Sequence, residues 1–398
     1  MSTYPARALV DLAAIRGNAA ALAAHAPTAQ VMAVVKADAY GHGLVPSATA
    51  ALAGGATWLG AAQVPEALAL RRAGIGARVL TWLYAPGAPL REAVEADVDL
   101  SVAAPWALDE VVAAARAAGR TARVHLKVDT GLGRNGLTPP DLGELLPAAM
   151  RAQAEGAVEV VGVWSHLAFA DEPQHPTVRG QARVFADAVA AVEAAGAHLE
   201  VRHLANSAAT LTTPDVHYDL VRPGLAVYGL SPVPQLGGPA AFGLVPAMTL
   251  EAELATVKRL PAGHGVSYAH QYVTTQDTWV GVVPIGYADG VPRHASGTQE
   301  RPGGPVRVGG RTLGVAGRVC MDQVVVDLGP DAGERAGDRV ELFGTGADGG
   351  PTAQDWADAA GTISYEIVTR VGARVPRVHV DSAAAGEGAR VAAAGAAR

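Results

Sequence analysis

From residue 30 to residue 222, short apolar and β-branched runs alternate with alanine-rich stretches whose polar positions recur at helical spacing. The runs at 31–36, 57–61, 78–83, 98–102, 123–129, 158–165, 199–204 and 219–222 predict strands. Between them, 63–73, 105–118, 142–155 and 181–195 predict helices, rich in Ala, Leu, Glu and Arg and ending near Gly74, Gly119, Gly156 and Gly196. Such alternation predicts an α/β fold with parallel strands joined by crossovers. Eight strands fit a closed, TIM-like (β/α)8 barrel better than a doubly wound sheet, although periodicity alone leaves the open sheet as an alternative.

The pattern changes after residue 230. Pro232, Pro234, Gly237, Gly238 and Pro239 cluster as a linker. Beyond them, runs at 252–260, 279–285, 306–308, 312–316, 323–327 and 338–343 follow one another through turn residues, which predicts a mostly-β C-terminal domain. The expected division is a barrel over 1–235, whose first strand is free to join the β-domain, and a β-domain over 236–382. A disordered tail is expected over 383–398, where Ala, Gly, Arg and Glu leave no apolar face.

Charge and composition narrow the function. A formal charge of −7 excludes a nucleic-acid binder acting through net positive charge. One cysteine excludes a disulfide scaffold, and the twelve histidines show no metal-ligand spacing, so no metal is expected. No run approaches the roughly 18 apolar residues of a membrane span. Arg7, Asp11 and Arg16 interrupt the opening residues, which lack an apolar signal core. A soluble cytoplasmic enzyme with neither nucleic acid nor membrane as partner is expected.

In a barrel of this kind the chemistry sits just past the C-terminal ends of the strands. Residues of catalytic type fall there. Lys36 ends the first strand, Lys127 and Arg134 lie at and after the fifth, and Ser165 and His166 close the sixth. Asn206 and Ser207 follow the seventh, and Arg222, Pro223 and Gly224 the eighth, where this fold often holds phosphate. A lysine buried at the mouth of an apolar strand loses hydration, so its pKa falls and its amine suits Schiff-base chemistry with an aldehyde cofactor. Position alone favours a Lys36 side chain that snorkels to solvent.

The segment AVVKADAYGHG (33–43) resembles the pyridoxal-phosphate attachment motif of bacterial alanine racemases, which are fold-type III enzymes. HLKVDTGLGRNG (125–136), HLANSAA (203–209), VRPGLAVYG (221–229), GVSY (265–268), PIGYADG (284–290), GRVCMDQ (317–323) and TISYEI (362–367) continue the resemblance in the family's order. It extends from residue 8 to residue 378.

The resemblance implies that Lys36 binds pyridoxal 5'-phosphate covalently and is one of two catalytic bases, Tyr268 being the other. Racemisation takes a proton from one face of the α-carbon and returns one to the opposite face. A phenol titrates near 10 in water, so such a base needs help near neutrality. The implied help is a hydrogen-bonded chain of Tyr268, His166 and Arg222. Arg222 is implied at the pyridine nitrogen, where a guanidinium donates a hydrogen bond without giving up its proton. The result is a weaker electron sink than the carboxylate of transaminases provides. From the residues alone, Arg222 is as readily a partner of Asp219.

Arg134 is implied at the cofactor's phenolic oxygen and the substrate carboxylate, two anions suited to its fork. Lys127 matches a position often carbamylated in the family, as an anion that orients Arg134. Phosphate binding is implied for Tyr40, Ser207, the backbone of Gly224 and Leu225, and Tyr365, with Asn206 beside them. Tyr287, Met321 and Asp322 match the substrate entrance or carboxylate site, and Cys320 reads as packing beside it. A homodimer is implied, packed head to tail, in which Lys36 of one subunit meets Tyr268 of its partner.

The activity so implied is interconversion of L- and D-alanine to supply D-alanine for peptidoglycan. Serine or broad-spectrum racemases share the two bases. Fold-type III decarboxylases usually place a glutamate where Arg222 stands, and a single-barrel pyridoxal-phosphate carrier would lack the β-domain and Tyr268. Residues 131–136 also spell GxGxxG, the dinucleotide fingerprint. Pro139 and Pro140 follow almost at once, so no long helix is expected to start at those glycines, and the fingerprint is read as coincidental. Ala269, Asn135, Leu167 and His379 depart from the family's commoner residues without removing a catalytic group.

Overall fold

The structure, a computed structural model, describes residues 4–382, so the expectation for 383–398 lies outside the described residues. The chain divides into two compact units. One holds residues 15–39 and 44–244; the other holds the described residues of 1–14, 40–43 and 245–398.

The first unit is a (β/α)8 barrel. Its parallel strands are Gln30–Val34, Trp58–Ala61, Arg78–Thr81, Asp99–Val102, Ala122–Lys127, Val158–Trp164, Val201–His203 and Leu220–Val221. Each falls on one of the eight predicted runs. The last returns to the first through the pairs Gln30–Leu220 and Val31–Val221, and a bridge from Asn206 to Arg222 closes the ring. Met32, Trp58, Leu80, Val201 and Leu220 fill the interior. Helices Val64–Arg72, Pro105–Ala118, Pro139–Ala154 and Pro176–Ala194 lie where the pattern placed them.

One of these helices begins earlier than expected: Pro139 and Pro140 open it, 16 residues long and capped by Thr138 with Asp141, so it does not start at the glycines. Proline is favoured in a first turn because the N–H it lacks has no intrahelical partner there.

After the first strand the backbone reverses its hand. Ala37, Asp38, Ala39 and Tyr40 have φ of 54°, 54°, 55° and 54°, and Gly41 has 81°, so Lys36–Gly41 forms a left-handed helical turn. Each L-residue in that conformation costs about 1–2 kcal/mol. Fixed partners hold it: Ala37 N–H donates to Glu66 at 2.7 Å, Leu44 N–H to Asp38 at 2.7 Å and Ala39 N–H to the Val35 carbonyl at 2.8 Å.

The second unit is mostly β. Its six-stranded sheet runs in the order Arg311–Gly314, Pro305–Val308, Arg339–Phe343, Met248–Glu253, Ala6–Asp11 and Arg377–Val380. A second sheet joins Thr256–Leu260, Thr278–Val283 and Val324–Gly329. The run expected as one strand over 252–260 is two strands in two sheets. At the corner, Leu254 N–H donates to the Asp338 carbonyl and Ala255 N–H to that of Val282. An unbroken apolar run carries no mark of a change of partner. Helices Ala353–Ala360 and Ser364–Thr369, absent from the sequence reading, follow. No helix of the described residues is long and apolar enough to cross a membrane, and no His, Cys, Asp and Glu cluster among them is arranged to hold a metal.

Candidate active site

The C-terminal mouth of the barrel gathers Lys36, Lys127, Arg134, His166 and Arg222 closely enough that their charges perturb one another. Burial, and then Arg134, lowers the pKa of Lys36, while Glu66 acts in the opposite sense. Burial with Arg134 and Arg222 lowers Lys127 to about 7. Burial followed by Arg222, Arg134 and the two lysines holds His166 well below the ordinary histidine range, so its ring is neutral. Arg222 is lowered by burial to about 9 and stays cationic at neutral pH.

Arg222 donates through Nη2 to the carbonyls of Ser165 at 2.7 Å and Leu204 at 3.2 Å. The imidazole at hydrogen-bond distance from its Nη1 is His203, at 3.3 Å, rather than His166. Asp219, the other partner considered for Arg222, is taken by Arg202 at 2.9 Å. The influence of Arg222 on His166 is therefore through its field. His166 is placed by Gln181, whose Nε2 donates to the His166 carbonyl at 3.0 Å and to Thr130 at 3.1 Å, while its Oε1 accepts the Ala168 N–H.

Asp129 shapes the loop that carries Arg134. Its carboxylate accepts the N–H groups of Gly131, Leu132 and Gly133 at 2.9–3.2 Å. The amides of the apparent dinucleotide fingerprint are thus directed at a side chain of the protein itself. Gly136 completes the turn with φ of 136°, and a Cβ there would lie 2.6 Å from the Asp129 nitrogen. Beyond the seventh strand, Ser207 Oγ accepts the Gly224 N–H at 2.8 Å and that of Ala226 at 3.4 Å, so its own O–H is left to donate. Asn206 caps the short helix Ser207–Thr212 through Ala209 N–H, and Leu225 is fully buried at the start of the turn Leu225–Tyr228.

Two further groups belong to the β unit. Tyr40 and Tyr365 have ring centroids 6.4 Å apart. Burial, and then Tyr365, pushes the Tyr40 phenol up, so it remains protonated. Gly41 lets this turn approach helix Ser364–Thr369, since a Cβ there would lie 2.5 Å from the Val368 carbonyl oxygen.

Cys320 organises the second group. Its carbonyl accepts the Tyr287 N–H at 3.0 Å, and its Sγ lies 3.2 Å from Ser267 Oγ, next to Tyr268. Ala288 N–H donates to the Met321 carbonyl at 2.9 Å. Tyr268, Tyr287 and Met321 are all exposed on this surface, at 69%, 40% and 54%. Asp322 is tied to Arg374 at 2.8 Å, and Arg374 also reaches Asp289 at 2.9 Å. His379, one of the departures noted above, faces the His42 carbonyl through Nε2 at 2.8 Å.

Sequence reasoning missed Glu66, Gln181, Asp129 and His203. Only Glu66 had a local signal, three residues after Gln63 in a capping-box pattern.

The family description "Alanine racemase, N-terminal domain" matches residues 10–232, and "Alanine racemase, C-terminal domain" matches 247–379. An alanine racemase of Beutenbergia cavernae is 65% identical over 380 residues, covering 95% of this chain and 98% of that protein. One of Frankia casuarinae is 61% identical over 373 residues, covering 94% and 96%. The crystal structure of alanine racemase from D-cycloserine producing Streptomyces lavendulae superposes with a TM-score of 0.93 at 59% identity, covering 96% of this chain and 98% of that one. Similarity of sequence and of fold thus runs through both units, and the chain belongs to the alanine racemase family, whose members are isomerases.

Proposed function

We propose that the chain interconverts L- and D-alanine with pyridoxal phosphate and two bases, Lys36 and Tyr268 of the partner subunit, in a cytoplasmic homodimer that supplies D-alanine for peptidoglycan. The observation that carries this reading is the barrel mouth, where Lys36, Lys127, Arg134 and Arg222 crowd together around a neutral His166. The guanidiniums of Arg134 and Arg222, with two lysines beside them and with Glu66 and Asp129 as acidic influences among the described residues, form a site for anions. Pyridoxal phosphate and an amino-acid substrate bring three: a phosphate, a phenolate and a carboxylate. The donor set fits them. In the barrel the Ser207 hydroxyl, the backbone of Gly224 and Leu225, and Asn206 suit the phosphate, and the Arg134 fork suits the other two; in the β unit, taken by itself, the protonated Tyr40 and Tyr365 are donors of the kind a phosphate takes.

When bound, the cofactor supplies the electron sink that makes the α-hydrogen acidic. Lys36, its ammonium disfavoured by burial, offers the free amine that takes or returns a proton on one face. Tyr268 does so on the other. Ser267, Ala269 and His270 around it all have positive φ, between 46° and 62°, and this backbone fixes how the phenol is presented. Arg222 would hold the ring nitrogen as a donor and, staying cationic, would give it no proton, which would disfavour transamination. Lys127 at about 7 is substantially a free amine at neutral pH, the form that adds CO2. As a carbamate it would replace repulsion from Arg134 and Arg222 by attraction. Tyr287 and Met321 line the substrate entrance in this reading, and Asp322 with Arg374 forms its rim.

The test is α-proton exchange in deuterated water across L-amino acids, with wild type, Lys36→Ala and Tyr268→Phe. Alanine should exchange fastest and both variants should lose activity. Faster exchange of serine would redirect the substrate, dominant CO2 release would overturn the reaction type, and a fully active monomer would overturn the shared site.

A further inference from the structure

A line of polar groups crosses the barrel interior from mouth to floor. Arg222 Nη1 faces His203 Nδ1 at 3.3 Å, His203 Nε2 faces His125 Nδ1 at 2.9 Å, and His125 Nε2 faces Asp99 Oδ2 at 3.1 Å. Asp99 opens the fourth strand, at the end of the barrel opposite Arg222. There it accepts Arg78 Nη2 at 2.6 Å and Arg123 Nε at 2.9 Å. His203, His125 and Asp99 are all fully buried.

The two ends fix every proton between them. A guanidinium has only donors, so His203 Nδ1 must accept. Its proton then sits on Nε2 and is donated to His125 Nδ1. The proton of His125 therefore sits on Nε2 and is donated to Asp99, a carboxylate held between two arginines. In this pattern each ring carries one proton, and every hydrogen bond points the same way. Burial, with Arg222 beside it, keeps His203 well below the ordinary range. The Asp99 carboxyl is lowered to about 2, its hydrogen bond from His125 and the nearby arginines outweighing burial.

The barrel is shaped around this line. Gly162 faces His125, and a Cβ there would lie 2.3 Å from the His125 Nδ1. Trp164 stacks on His203 at 5.5 Å between centroids, and Trp58 meets His125 edge-on at 5.7 Å.

We propose that His203, His125 and Asp99 are positioning residues for the racemase reaction: their one-way chain binds Arg222 through a bare imidazole nitrogen and so fixes its orientation and its charge at the barrel mouth. The inference rests on reading that mouth as a pyridoxal-phosphate site. A carboxylate directly on Arg222 would neutralise it in place. Two neutral rings instead put the balancing charge at the far end of the barrel and leave the cation undiminished where the ring nitrogen would lie.

Nitrogen-15 NMR of histidine-labelled protein, cofactor-free and loaded, tests the chain directly. Both rings should be neutral at pH 7 and carry their proton on Nε2. A proton on Nδ1 of either ring, or a doubly protonated ring, overturns the proposal. In the loaded enzyme, His125→Leu removes donor and acceptor, whereas His125→Gln retains one of each. Arg222 would then keep only its Nη2 bonds to the Ser165 and Leu204 carbonyls, and its hold on the ring nitrogen would loosen. His125→Leu should therefore raise transamination per racemisation on the order of ten-fold, and His125→Gln by no more than about two-fold. Equal effects of the two would mark a structural role only and overturn it. Should His125→Leu fail to fold, the wild-type tautomers decide. Protein that takes up no pyridoxal phosphate removes the underlying reading; reversed tautomers in a loaded, active racemase remove the chain's role alone.

Discussion

Lys127 Nζ stands 4.4 Å from the centroid of the Trp164 ring. The contact favours the ammonium, yet burial and the neighbouring Arg134 and Arg222 outweigh it and bring the pKa from the ordinary 10.5 to about 7. Between those values the unfolded chain binds a proton that the folded chain has released, so stability rises with pH across that window. Below about 7 both states are protonated and the penalty is constant. In CO2-free buffer, the urea midpoint of cofactor-free wild type should climb from pH 7 towards 10.5, and Lys127→Met should flatten the climb. An equal slope in the variant would contradict the assignment.

Asp129 holds three consecutive amides of the loop that carries Arg134. Asp129→Ala should free that loop while leaving the strand beneath it intact. Misplacement of a positioning group by about 1 Å can cost on the order of 100-fold. We expect kcat/KM for alanine to fall by roughly 10- to 100-fold, with little change in thermal midpoint. Unaltered kinetics would show that the loop is held by other means.

Gly41→Ala would bring a Cβ within 2.5 Å of the Val368 carbonyl at a φ of 81°. The strained conformation alone costs about 1–2 kcal/mol, and the contact adds to it. Chemical denaturation should show a loss of about 2 kcal/mol or more. A loss under half that would mean the turn relaxes.

Ala269, beside Tyr268, has φ of 58°. Glycine relieves that conformation by about 1–2 kcal/mol and returns about 0.4–1 kcal/mol through the freer unfolded chain. Ala269→Gly should thus be neutral to mildly stabilising, unlike most alanine-to-glycine changes. A drop in thermal midpoint would be the contrary result.

The barrel strands were legible because a parallel, doubly covered sheet writes each strand as a continuous apolar run between amphipathic helices. Lys36 and Arg222 were legible as polar residues at strand ends. The left-handed turn was not, because Ala-Asp-Ala-Tyr has none of the glycine or asparagine that marks positive φ, and its hand is imposed by Glu66 and by Asp38 on Leu44. His125 and Asp99 were equally hidden. They lie within strand runs, where an isolated polar residue shows no partner, and their contacts come from strands distant in sequence. His125 and His203 open two of the motifs shared with the family, HLKVDTGLGRNG and HLANSAA, and the resemblance implies a role for neither.

Ala6–Asp11 pairs on one side with Met248–Glu253 and on the other with Arg377–Val380. During synthesis this segment leaves the ribosome long before either neighbour exists. Its backbone donors and acceptors must wait in water while the whole barrel is made, and its parallel partner arrives only with the last described strand. The β unit therefore cannot be completed in step with translation. Removal of Arg377–Val380 would turn an interior strand into an open edge, the kind of surface that recruits strands from other chains.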